Sequence, residues 1–366
     1  MDITTLNAVV AGVAAIIGAI GGALGGYAAW AKYIEERQKK RREEAEQKLD
    51  QERKESLPPP VPVLGKIIWN RTPESAPDLP YERRKRVISV GNFKGGVGKT
   101  TLSANLAAYL ATKEGAKVLL IDFDYQGSLS NTCARMIGAR RNSYTSAKLL
   151  APSPSFRELK ELALPLTNEI KPSHSLQNVD MFTAFYPLDI QETQQLIDWS
   201  KGGVSDVRYR LRDVLNSPEF AEYDTVIIDC PPRFSTATIN ALCASTHLII
   251  PTILDLLSSE AVTYFAEQLQ TLRPTAFPHL KLLGIVPTMV YNGPDNLTLR
   301  EDKVAERINA EVRRILGADS WVMKDAAVPD LASIANVAGE GISYVVNART
   351  QEVWNLIGQK VSRRLT

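Results

Sequence analysis

Hydrophobic and polar positions alternate with different rhythms along the 366-residue chain. From Leu6 to Trp30 nearly every residue is small or apolar, and no charge occurs between Asp2 and Lys32. Such a run exceeds the roughly 20 residues that a helix needs to cross a bilayer. From Lys32 to Glu55 charges of both signs crowd together, with Glu35/Lys39, Glu36/Lys40 and Glu44/Lys48 in the favourable i,i+4 order. Pro58-Pro59-Pro60 and Pro62 close that stretch, and an irregular Pro-rich passage follows. The pattern predicts a transmembrane anchor over 1–31, a charged helical spacer over 32–57, a Pro-rich linker over 58–83 and one α/β domain over 84–366.

Within the domain, short apolar runs end in polar or Gly/Pro-containing loops. The predicted strands are Val87–Gly91, Lys117–Asp122, Thr225–Asp229, His247–Pro251 and Leu282–Pro287, with an Ala/Leu-rich helix over Thr101–Thr112. Strands this uniformly apolar suit a mostly parallel central sheet covered by helices on both faces. In such a sheet ligands bind beyond the C-terminal strand ends. The last stretch, Val353–Leu365, reads as a modest amphipathic helix that packs on the domain.

The first 31 residues carry further detail. Ala14, Gly18, Gly22 and Gly26 recur every fourth residue, a spacing that lets helix backbones approach closely in lipid. Tyr27 and Trp30 stand where interfacial aromatic anchors belong, and Lys32, Arg37, Lys39, Lys40, Arg41 and Arg42 follow. The basic flank predicts a single pass with the C-terminal side in the cytoplasm, in a bacterial-type inner membrane. A cleaved signal peptide is the rival, but the N-terminus lacks the lysine or arginine that one requires.

Composition narrows the chemistry. The formal charge of +2 gives no global signal for polyanion binding, and the three cysteines and three histidines match no metal-site spacing.

The strongest motif is Lys94-Gly-Gly-Val-Gly-Lys-Thr-Thr, close to the phosphate loop G-x-x-x-x-G-K-[ST] with Phe93 at the first glycine position. Gly95, Gly96 and Gly98 permit a nest of N–H groups around phosphate, contributed also by Val97, Lys99, Thr100 and Thr101. Lys99 is the loop lysine, and the Thr100 hydroxyl suits Mg²⁺. A second lysine, Lys94, is placed to reach a phosphate bound elsewhere, in a partner subunit. Two further strand ends carry carboxylates. Asp122-Phe-Asp-Tyr-Gln-Gly-Ser offers Asp122 and Asp124 for water activation and for a place near Mg²⁺, and Val226-Ile-Ile-Asp-Cys-Pro-Pro offers Asp229 for an Mg²⁺-bound water.

These stretches, in this order, resemble the ParA/MinD family of deviant-Walker P-loop ATPases over about residues 85–360. The resemblance implies two subunits sandwiching two ATP molecules with Mg²⁺. Lys94 would cross the dimer, Lys99 and Thr100 would bind phosphate and Mg²⁺, Asp124 would position the hydrolytic water with Asp122 beside it, and Asp229 would support the metal. Late loops usually flank the adenine, where Thr288 and Val328-Pro329-Asp330 match loosely. Two residues depart from the pattern: Tyr125 stands where proline is common, and Arg233 where a small residue is usual.

Slow hydrolysis and a Gly-ladder anchor together predict a membrane-anchored dimerisation switch that recruits, positions or regulates an unidentified protein partner. Its homodimer would be held both by the ATP sandwich and by the transmembrane helix. A DNA-partition ATPase is the first alternative, with Arg313, Arg314, Lys360, Arg363 and Arg364 as candidate contacts to nucleic acid. A P-loop tyrosine kinase is disfavoured because only Tyr344 lies in the last stretch. The sensor ATPase of an oligomeric membrane effector, as in defence, is the remaining alternative.

Overall fold

The structure is a computed structural model, and it describes residues 69, 85–139, 145–152, 155–184, 197, 199, 206–317, 322–330, 334 and 340–365. Among these, eight strands form one sheet in the order β3-β4-β2-β5-β1-β6-β7-β8. At its centre are β1 (Arg86–Val90), β2 (Val118–Asp122), β5 (Thr225–Asp229), β6 (His247–Ile253) and β7 (Lys281–Val290), all parallel to their neighbours. β4 (Val179–Phe182) pairs parallel with β2, the two-residue β3 (Leu164–Pro165) is antiparallel at one edge, and β8 (Val328–Pro329) closes the other.

Residues along the central strands alternate between the two faces, as a pleated strand requires. Ile88, Leu120, Ile227 and Ile249 share one hydrophobic cluster with Leu102, Leu106 and Leu110 of α1 (Lys99–Lys113). Trp354, Ile357 and Val361 of α9 (Ala348–Ser362) complete it. On the opposite face the core has two parts. Val87, Leu119 and Ile228 pack with Leu211 and Val214 of α4 (Arg210–Asn216), and Leu248, Ile250 and Ile285 pack with Phe265 and Leu269 of α6 (Leu256–Ala276) and Ile308 of α7 (Leu299–Leu316). α5 (Thr236–Ala244) contributes to both parts through Ala237 and Ile239. Among the described residues the sheet is also flanked by α2 (Ser128–Ile137), α3 (Phe156–Glu161) and α8 (Ser343–Val346).

The C-terminal helix α9 packs on the domain through an unusually close contact. Gly358 faces the ring of Tyr109 on α1, and a Cβ there would stand 2.3 Å from Tyr109 Cγ. Asn347 caps α9, its side chain accepting from the Arg349 and Thr350 amides, so the helix starts five residues before Val353.

Trp69, in the stretch expected to be linker, is buried at 4% exposure. Its indole stacks on Trp199 with centroids 6.0 Å apart, and its carbonyl accepts a 2.8 Å hydrogen bond from Nη1 of the buried Arg208. Among the described residues no helix is long and apolar enough to cross a membrane. The anchor expected over 1–31 and the spacer over 32–57 lie outside the described residues.

The Gly358 contact yields a direct test. Gly358→Ala inserts a methyl into the Tyr109 ring, and overpacking of this kind costs about 1–3 kcal/mol. The expected result is a lowered denaturation midpoint that Tyr109→Leu in the same chain partly restores, read by urea titration.

Candidate nucleotide-binding site

The C-terminal ends of β1, β2 and β5 bring the candidate residues together. The pairing register sets Asp229 between Asp122 on β2 and Val90 on β1. After β1 the chain turns through Gly91–Gly98 and enters α1. Asn92 braces the turn, its Nδ2 donating to the Pro251 carbonyl at 2.8 Å and its Oδ1 accepting from the Lys94 amide at 3.0 Å.

Positive φ is required at Gly96 (70°) and Gly98 (80°), values that a side chain disfavours. Gly98 also lies close to Thr288, whose Cγ2 would be 3.3 Å from an added Cβ. Gly95 is open to solvent, whereas Val97 is buried. Among the described residues nothing accepts a hydrogen bond from the amides of Gly95 to Thr101. Uncompensated N–H groups at a helix N-terminus form an anion site. Lys99 Nζ lies across the loop and donates to the Lys94 carbonyl at 2.8 Å. Burial lowers the Lys99 amine below the usual lysine range, against the pull of Asp229 and Asp124.

Thr100 Oγ1 donates to Asp229 Oδ2 at 2.8 Å, and Ser103 Oγ lies 3.3 Å from Asp229 Oδ1. A hydroxyl and a carboxylate side by side are hard oxygen donors, and they fit Mg²⁺ held together with phosphate oxygens and water. Burial pushes the Asp229 carboxyl well above the ordinary carboxylate range. The Thr100 bond and the Lys99 charge oppose this, while the Asp124 charge adds to it.

Asp122, expected beside Asp124, is buried and engaged in hydrogen bonds. Its Oδ2 accepts from the Ser130 amide (2.9 Å) and hydroxyl (2.7 Å), and its Oδ1 accepts from the Asp124 amide (3.0 Å). Burial, then the neighbouring Asp229, raise its pKa well above normal. With both oxygens turned inward, it shapes the β2–α2 loop and presents Asp124. Asp124 is partly exposed, its Oδ1 accepting only from the Gln126 amide at 3.1 Å. Its charge is felt at both Lys99 and Asp229.

Thr288, expected near the adenine, lies against the phosphate loop, its buried hydroxyl donating to the Val97 carbonyl at 3.0 Å. It supports the phosphate loop. Pro329 pairs with Val290 at the sheet edge.

Lys94 points away from its own loop. Its Nζ lies 2.7 Å from Ser258 Oγ and 3.2 Å from Asp255 Oδ1, at the N-terminus of α6. Asp255 caps that helix through the Ser258 amide. Burial works against its charge, yet the Ser258 bonds and the Lys94 ammonium hold its carboxyl below the usual range. Asn92, Ser130, Asp255 and Ser258 were not found from sequence. Asp255 alone had a signal there, an N-cap residue directly before a helical apolar pattern.

Comparison with known proteins agrees with this geometry. A protein-family model described as an AAA domain matches residues 85–282. The chromosome partitioning protein ParA of Myxococcus xanthus is 32% identical over 284 residues, covering 77% of this chain and 89% of the relative. The chain belongs to the ParA/MinD family of P-loop ATPases.

Two solved structures share the fold. An ATP complex of a Cyanothece McdA variant has a TM-score of 0.59 at 18% identity, covering 78% of this chain and 97% of that one. The pNOB8 ParA structure has a TM-score of 0.56 at 21% identity, covering 77% and 98%.

The buried carboxylates of this ParA/MinD-family site lead to a pH prediction. A folded-state pKa above the unfolded value means that the native chain holds more protons. Stability therefore falls as pH rises from the ordinary carboxylate range through the raised value. Asp229→Asn removes that penalty and relieves Asp122. Without nucleotide, the variant should melt higher than the parent at pH 8, each tenfold difference in proton affinity between the folded and unfolded chain being worth about 1.4 kcal/mol. The gap should close towards pH 4 in calorimetry, and added MgATP should raise the midpoint of the parent only.

Proposed function

We propose that this chain is a Mg²⁺-dependent, slow ATPase whose ATP-bound dimer acts as a membrane-anchored switch that recruits or releases a protein partner. The supporting observation is the divergence of the two lysines. Lys99 is folded into its own loop, whereas Lys94 sits on the α6 N-terminus with Asp255 and Ser258. An amine held outside its own phosphate nest is available to a nucleotide bound by a second copy. In this reading ATP draws Lys94 from Asp255 across the dimer, Asp124 orients the attacking water, and Thr100 with Asp229 holds Mg²⁺. The metal neutralises charge developing on the phosphoryl oxygens.

What supports the anchor is the apolar sequence of residues 1–31 and the basic flank that follows it, and in this reading the ATPase domain faces the cytoplasm. Tethering two copies would make the sandwich an intramolecular event.

DNA partition is the second reading, supported by the relatives named as partitioning proteins. Against it, Arg314 pairs with Glu311 at 2.8 Å, and Lys360 and Arg364 both lie near Asp325, at 3.6 and 3.5 Å. Two carboxylates, Glu311 and Asp325, thus offset part of that cationic surface within the chain.

Lys94→Ala should bind ATP with affinity close to the parent but lose the rise of specific activity with protein concentration. A variant whose turnover per chain still rises with concentration would remove the cross-dimer role. Asp255→Ala should lower the concentration at which the parental effect appears. Asp124→Ala, solubilised in detergent with MgATP, should retain the partner that wild type releases, read by co-purification with and without nucleotide. An ATP-dependent gel shift that weakens steeply with salt would favour the DNA reading.

A further inference from the structure

Tyr125 and Arg233, from two neighbouring loops of the site, touch each other. Arg233 lies in the loop after β5, four residues beyond Asp229, and Tyr125 lies in the loop after β2, directly beyond Asp124. The guanidinium carbon of Arg233 stands 4.6 Å from the centroid of the Tyr125 ring. Both side chains are half-buried, so the contact is partly shielded from water.

The arginine is anchored on its own side. Its carbonyl accepts a 2.7 Å hydrogen bond from Thr238 Oγ1 in the first turn of α5, a helix capped by Ser235. The next residue, Phe234, meets Phe93 edge to face at 5.6 Å, and Phe93 directly precedes Lys94. The loop after β5 therefore grips both neighbouring loops, one through a cation over a ring and the other through paired rings.

Tyr125 is the recipient that matters for chemistry. The Asp124 backbone is held on one side by Asp122, which accepts from its amide, and on the other by a tight turn in which the Gly127 amide donates to the Asp124 carbonyl at 2.7 Å. Towards β5 the root of the loop is tied by the Phe123 amide, which donates to the Asp229 carbonyl at 3.0 Å. The Arg233–Tyr125 contact spans that direction, because β2 and β5 are adjacent strands.

We propose that Arg233 is a positioning residue for phosphoryl transfer: by clamping Tyr125 it sets the distance of the Asp124 carboxylate from Asp229 and the Lys99 amine. The proposal rests on the ATPase reading above and adds to it the device that keeps the water-orienting group in place. A cation over an aromatic ring is modest in strength, but small displacements of a positioning group have large effects on rate. An ordinary surface arginine, by contrast, has little effect when replaced.

The test is a double-mutant cycle on the full-length chain in detergent, with ATP turnover and ATP binding measured for each variant. Arg233→Ala and Tyr125→Ala should each lower kcat about tenfold while leaving the KM for ATP within about twofold, as loss of transition-state alignment requires. The double variant should be no slower than either single one. Arg233→Lys and Tyr125→Phe, which keep a cation and a ring, should retain most of the activity, with thermal midpoints verifying that every chain is folded. If Arg233→Ala fails to fold, Arg233→Gln takes its place in the cycle. Additive losses, a tenfold rise in KM at constant kcat, or wild-type turnover in Arg233→Ala would overturn the positioning role while leaving the ATPase reading intact. A wild-type chain that binds ATP and never hydrolyses it would overturn both.

Discussion

Asp229 and Asp122 lie side by side on adjacent parallel strands, both removed from water, with an amine and a ring of hydroxyls gathered about them. Burial of a carboxylate is costly unless hydrogen bonds or a cation compensate it. The architecture at this end of the sheet supplies that compensation: Thr100 and Ser103 on the first turns of α1, Lys99 one residue earlier, and Ser130 at the start of α2. The compensation for Asp229 comes from the groups that bind phosphate and Mg²⁺ in the proposed reaction. These groups hold one another, Lys99 on the Lys94 carbonyl and Thr100 on Asp229, and so keep the phosphate loop in shape.

The central sheet was legible in the sequence because its strands are apolar on both faces and end in Gly, Pro or Asp. Their predicted limits differ from the observed ones by a few residues at most, as for Leu282–Pro287 within Lys281–Val290. β4 went unread because four residues, Val179–Phe182, carry too little pattern to be separated from the polar chain around them. The edge strands β3 and β8, two residues each, exist only through their neighbours β4 and β7.

Within the site, the phosphate loop could be read because its function is a backbone conformation that glycine spacing encodes. The roles of Asp122 and Thr288 could not, because they depend on which way a buried side chain turns. An Asp at a strand end reads the same whether it faces solvent or a serine amide eight residues on. Thr288 acts on Val97 across 191 positions of sequence. The link between Tyr125 and Arg233 was hidden for the same reason: each was visible as an oddity, and only the adjacency of β2 and β5 makes them a pair.

Trp69 bears on where this domain can be cut. A fragment begun at residue 85, where the sheet starts, would expose the face of Trp199 and take from Arg208 the carbonyl that its Nη1 now engages. Phe234, which meets Trp69 edge to face at 6.5 Å, would lose a neighbour as well, one ring from the residue that precedes Lys94. A truncation that starts shortly before Trp69 keeps this wall of rings closed, and is the better starting point for crystallisation or for titration with nucleotide.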